Sequence, residues 1–134
     1  MEKNKSELNP SLLSPLQLAY VGDAVYELMV RSYLIKKHDM NVNDLHRRAI
    51  DFVKAEAQAR SYRWIEPDLT KEEMRIFKRG RNAKSLTVAK NAKLIDYKYA
   101  TGFEALFGYL HLSGQTDRMT ELFEKILESE LRQI

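Results

Sequence analysis

The sequence predicts an all-α fold, a helical bundle formed as a single domain over residues 1–134. Three observations carry the prediction. Apolar residues recur at helical spacing along almost the whole chain. Ser14-Pro15-Leu16-Gln17 and Thr70-Lys71-Glu72-Glu73 both have the form of a capping box. No β-hairpin signal, internal repeat or low-complexity segment interrupts them.

The elements follow in order. Ser14 is an N-cap with Pro15 at the first helical position, where its missing N–H does no harm. The helix it opens should run to about Lys37, with Lys36 and Lys37 at its negative end. Asn41 or Asn43 can cap a second helix, in which Val42, Leu45, Ala49, Phe52 and Val53 fall at helical spacing. Pro67 should stop whatever runs through Ser61 to Glu66. The Thr70 box opens a third helix through about Arg79, and Gly80 then breaks the pattern. Arg81 to Asn91, with Asn82, Ser85, Thr87 and Asn91, has little apolar periodicity and is expected to be a loop or broken helix. Leu94 to Leu112 is a second long apolar helix. After a turn at Gly114-Gln115-Thr116, Leu122, Phe123, Ile126, Leu127 and Leu131 make the buried stripe of the last one.

A chain of 134 residues, 44% hydrophobic and 31% charged, has enough apolar surface for a real core. With no cysteine, disulfides, thiolate metal sites and cysteine nucleophiles are excluded. The N-terminal residues Met1 to Glu7 hold no apolar signal core, and no run reaches the ~20 apolar residues a membrane helix needs. The expectation is a soluble, cytoplasmic protein with no membrane partner. The net charge of +3 is unevenly spread: Lys78, Arg79, Arg81, Lys84, Lys90 and Lys93 lie in one segment with no acid. Such a run is either a solvated face or a phosphate-backbone binder.

The candidate chemistry rests on two acids. Asp23 sits within Leu18-Ala-Tyr-Val-Gly-Asp-Ala-Val-Tyr-Glu-Leu28, and Glu104 within Ala100-Thr-Gly-Phe-Glu-Ala-Leu-Phe-Gly-Tyr-Leu110. A carboxylate is expensive to bury alone in such a setting, so each asks for a cation, a metal or a hydrogen-bond network. Gly22, Gly102 and Gly108 stand beside the acids, although glycine inside a helix costs about 1 kcal/mol relative to alanine. Close helix packing would explain them. If the two helices cross there, the carboxylates form a pair that Mg²⁺ would relieve, since it takes oxygen ligands and keeps several waters. Pairing with Arg or Lys is the plainer alternative. Glu27, one turn after Asp23, is a weaker candidate. His38, His46 and His111 are too scattered for a metal motif, with His38 suited to a helix C-terminus and His46 to a surface. Gly80 to Ser85 lacks the first glycine and preceding strand of a phosphate loop.

Val21-Gly-Asp-Ala-Val25, followed by Glu27-Leu28, resembles the signature helix of the ribonuclease III family, and Phe103-Glu-Ala-Leu-Phe-Gly108 resembles that family's second acidic helix. Arg79-Gly-Arg-Asn-Ala-Lys84, Thr87, Lys90-Asn91, Ala100 to Leu106 and Val53-Lys-Ala-Glu-Ala-Gln58 are similar to its small bacterial branch, the Mini-ribonuclease III subfamily. The resemblance runs from about Pro15 to Glu128 and leaves no stretch for a separate double-stranded-RNA-binding domain. Larger members carry further acids where this chain has Leu16, Ala19 and Thr101, so only Asp23 and Glu104 carry over as metal ligands and catalytic residues.

The resemblance implies a homodimeric, Mg²⁺-dependent endoribonuclease that cuts double-stranded RNA, leaves 5′-phosphate and 3′-hydroxyl ends, and matures 23S ribosomal RNA from a precursor stem. Ribosomal proteins on that precursor are further candidate partners. Tyr20, Val21 and Tyr26 are candidates for the dimer interface. Arg79, Arg81, Asn82, Lys84 and Lys90 are the candidate RNA contacts, since duplex RNA is read largely through shape, phosphates and 2′-hydroxyls. Two alternatives stay open: a non-catalytic RNA-binding or ribosome-assembly protein on the same scaffold, and a DNA-binding regulator with Asn43 to Arg60 as its recognition helix.

Overall fold

A computed structural model of the protein describes residues 8–84 and 93–132. A short 3₁₀ turn, Pro10–Leu12, precedes six α-helices: α1 (Pro15–Lys37), α2 (Val42–Val53), α3 (Ala55–Ile65), α4 (Lys71–Arg81), α5 (Leu94–Leu112) and α6 (Thr116–Leu131). A second 3₁₀ turn, Glu66–Asp68, links α3 to α4. The described residues contain no strand, so the all-α expectation holds.

Both capping boxes form. The Gln17 N–H donates to Ser14 Oγ at 3.1 Å and the Ser14 N–H to Gln17 Oε1 at 3.0 Å. The Thr70–Glu73 pair repeats the pattern at 2.9 and 3.1 Å. Of the two candidate caps for α2, Asn41 is the one used, accepting from the Asp44 N–H at 2.9 Å. His38 closes α1, donating its N–H to the Leu34 carbonyl. Pro67 sits in the turn that ends α3, as its missing N–H requires.

The bundle is organised around α5, which packs against α1, α3, α4 and α6. Phe103 and Phe107 of α5 meet the buried Tyr26 of α1 edge to face, at centroid distances of 4.8 and 5.1 Å. Tyr62 of α3 stacks on Phe77 of α4 at 3.6 Å. Burial of Glu73 at the start of α4 is offset by Arg118 of α6, whose Nε and Nη2 lie 2.8 and 2.9 Å from its carboxylate. The Arg118 guanidinium also donates to the Asp68 carbonyl at 2.7 Å, and so ties three segments together.

Four expectations are corrected. Gly80 does not break α4: the helix passes through it, and it is buried because the backbone of Gly102 on α5 approaches too closely for a side chain. The segment from Asn43 to Arg60 is not one recognition helix, since Lys54 at ψ 154° ends α2 and starts α3. Leu131 is exposed rather than part of the buried α6 stripe, and Met119 joins that stripe instead. Tyr26 is fully buried within its own chain, so it cannot present a surface to a partner. The expected loop over Arg81 to Asn91 is described only to Lys84; the remainder, with Lys90, lies outside the described residues.

Candidate active site

Asp23 and Glu104 meet where α1 crosses α5, and glycines set the distance. A methyl group built on Gly22 would lie 1.6 Å from the Glu104 carbonyl oxygen, and one on Gly108 would lie 1.9 Å from the Leu18 carbonyl oxygen. Neither space admits even alanine, so the two backbones touch. Gly102 plays the same part against Phe77. The glycines beside the acids are therefore explained by helix packing, and that packing brings the two carboxyl groups within hydrogen-bonding reach.

The two acids are unequal. Asp23 is exposed on α1, contrary to the expectation of a buried group, whereas Glu104 is only partly exposed. Burial, reinforced by the negative charge of Asp23, pushes the Glu104 carboxyl up to about 8. Desolvation and a like charge both disfavour the ionised form, so near neutrality the Glu104 carboxyl holds its proton. Among the described residues neither acid takes part in a salt bridge. The plainer alternative of an Arg or Lys partner is thus not what these residues provide. Glu27, by contrast, pairs with Arg31 at 3.1 Å on the surface.

The donor set suits a hard divalent cation. Two carboxylates, one of them open to solvent, leave room for water and phosphate oxygens, as Mg²⁺ sites usually do. No cluster of three or more acids or histidines occurs among the described residues, so a bound ion would take most of its ligands from outside the protein. The residues fit Mg²⁺ on these terms.

The basic candidates divide. Arg79 is partly buried and already engaged: its Nη1 donates to the Ser11 carbonyl at 3.0 Å and its Nη2 to the Leu13 carbonyl at 2.9 Å. It fastens the segment before α1 onto α4. Arg81 leans over the Phe77 ring at 5.9 Å and donates to the Asn82 side chain at 3.0 Å. Asn82 and Lys84 are exposed at the end of α4. The residue missed altogether is Gln58, which is buried on α3 and donates from Nε2 to Glu104 Oε2 at 3.5 Å. Its signal in the sequence is its place at the end of Val53 to Gln58, a segment that resembles the subfamily without assigning it a role.

Comparison with known proteins decides the family. The Ribonuclease III domain model matches residues 16–115, the span that holds both acidic helices. The chain belongs to the ribonuclease III family. Within it, Mini-ribonuclease 3 of Clostridium tetani is 50% identical over 116 residues, covering 86% of this chain and 77% of its own. Mini-ribonuclease 3 of Enterococcus faecalis is 51% identical over 112 residues, covering 82% and 85%. A crystal structure of a Fusobacterium nucleatum protein superimposes with a TM-score of 0.79 at 29% identity, over 89% of this chain and 95% of that one. The Mini-ribonuclease resemblance read from the motifs is thereby established, and with it an endoribonuclease of the ribonuclease III type.

Proposed function

We propose that this endoribonuclease cleaves double-stranded RNA in a Mg²⁺-dependent reaction, with Asp23 and Glu104 holding the ion. The observation that supports this best is the pair itself: two carboxyl groups brought together at the α1–α5 crossing, one pushed up to about 8, without a cationic partner among the described residues. When bound, a divalent ion supplies positive charge that orients water and stabilises the charge developing on a phosphodiester. The chain's own residues prepare for that charge. Asp23 presents its carboxylate to solvent, where RNA can arrive, and Glu104 stands behind it on the rigid α1–α5 crossing. Loss of the Glu104 proton leaves its carboxylate as an oxygen donor beside Asp23.

Exposed Asn82 and Lys84, with Arg81, are proposed to hold the RNA backbone at the end of α4. Lys90 belongs to the same proposal from sequence alone. The natural substrate proposed is a precursor stem of 23S ribosomal RNA, on which ribosomal proteins would be neighbours, and the setting proposed is the cytoplasm. No helix among the described residues is long and apolar enough to cross a membrane. The working form proposed is a homodimer. In support, α1 leaves Leu16, Tyr20, Leu28 and Ile35 accessible, at 43%, 82%, 66% and 65%, on the side that carries the Glu27–Arg31 pair.

The test is cleavage of a long RNA duplex, and of a 23S precursor stem, in Mg²⁺. Wild type should cut, whereas Asp23→Asn and Glu104→Gln should bind the duplex with at least a 100-fold loss in rate, on the order expected when a catalytic charge is removed. Cleavage by both variants at the wild-type rate would overturn the carboxylate assignment. Binding without cleavage by wild type would overturn the substrate.

A further inference from the structure

We infer that Gln58 is a positioning residue for Glu104, fixing the orientation of its carboxylate toward the metal. The inference rests on the carboxylate reading proposed above and extends it to a side chain on a third helix. Gln58 is 2% exposed on the face of α3 that also buries Ala57, Ser61, Tyr62 and Ile65. A leucine or methionine would fill that position without desolvating an amide. A buried amide without a partner costs about 1–3 kcal/mol, so a glutamine there calls for one. Its Nε2 lies 3.5 Å from Glu104 Oε2, a long hydrogen bond that joins α3 to the acid on α5. Among the described residues, Gln58 is the side chain that donates to the Glu104 carboxyl, and Asp23 is the like charge beside it.

The two contacts have opposite effects. The Asp23 contact favours the protonated acid, whereas donation from Gln58 favours the carboxylate. In this orientation the Gln58 amide turns its N–H, not its carbonyl, to Glu104, and so favours the ionised oxygen. It also restrains rotation about the terminal bond of Glu104. The turn at Lys54 makes the arrangement possible. Had α2 continued as one helix, the face carrying Gln58 would not follow α3 onto α5.

The test uses the full chain with Gln58→Met, which keeps volume and removes the donor, and Gln58→Leu should the first fail to fold. We expect the wild-type melting temperature without metal and unchanged RNA affinity in metal-free buffer. The cleavage rate should fall about 10- to 100-fold, and the Mg²⁺ concentration for half-maximal rate should rise about tenfold, as when a group orienting a metal ligand is lost. At one fixed Mg²⁺ concentration, the metal-induced rise in Tm should shrink by about half. That readout is independent of turnover, and a purely structural role would not move it. A Gln58→Met protein with wild-type Mg²⁺ dependence, alongside an inactive Glu104→Gln, overturns the positioning role and leaves the carboxylate site standing. A loss of activity that merely tracks a lower metal-free Tm overturns it too. If Glu104→Gln itself cleaves, both readings fall.

Discussion

Glu104 links the site to stability through its proton. The folded chain raises this carboxyl from 4.5 to about 8, so between those values the folded state holds a proton that the unfolded state has released. Stability must therefore fall as pH rises through that window, since stability declines wherever the folded form binds more protons. Glu104→Gln cannot titrate. In metal-free buffer it should melt close to wild type at pH 4.5 and progressively above it toward pH 8, measured as Tm against pH; parallel curves would contradict the shift. Mg²⁺ should reverse the order, because it stabilises only the form with both carboxylates. A second prediction separates the arginines. Arg81→Ala and Lys84→Ala should each weaken duplex binding and lower the salt slope by about one. Arg79→Ala should instead lower Tm, since its donors are occupied by the Ser11 and Leu13 carbonyls, and leave the slope nearly unchanged. That α1 and α5 would meet at Asp23 and Glu104 was legible from an acid and glycines inside each of two apolar runs, although Asp23 itself is exposed. Gln58 and Arg79 were not, because their partners lie far along the chain and neither residue type is unusual where it stands.

At the scale of elements, the starts of α1 and α4 were readable because a capping box is local: four residues contain both halves of it. The turn at Lys54 and the continuation of α4 through Gly80 were not. Lys54 has no glycine or proline to announce its extended backbone, and Gly80 is demanded by a helix that arrives later in the chain. The same tertiary logic governs the α1–α5 crossing. Gly22→Ala would drive a methyl group into the Glu104 carbonyl, which is backbone and cannot turn aside. The helices must separate, at a cost of about 3 kcal/mol, near the upper end for overpacking. Cleavage should fall further than the loss of folded protein accounts for, because separation also parts the two carboxyl groups. Gly114→Ala is the control. Its φ of 72° strains alanine by about 1–2 kcal/mol, but open space surrounds it and the site is remote. Tm and rate measured together on the two variants distinguish lost geometry from lost fold.

For the whole molecule, the decisive quantity is what α1 leaves uncovered. The helix divides its apolar residues between two duties. Leu18, Tyr26, Val30 and Leu34 are buried against the rest of the chain, and Tyr26 fills the space among Phe103, Phe107 and Phe123. Leu16, Tyr20, Leu28 and Ile35 face water, so they do nothing for the fold of one chain that a polar residue would not do as well. Periodicity alone could not apportion these residues, since a helix apolar on most sides reads the same whether its second face meets its own chain or another copy. If that face is the dimer interface, Tyr20→Glu with Leu28→Glu should yield a folded monomer with wild-type helicity. A shift from dimer to monomer mass in analytical ultracentrifugation would show it. A duplex-cutting enzyme that needs two sites across one RNA should then nick rather than sever. Tyr26→Glu should behave in the opposite manner, placing a charge where no water reaches and unfolding the chain outright. A wild-type protein that sediments as a monomer at working concentration would remove the dimer from the proposal, and the apolar face of α1 would then have to meet something other than its own copy.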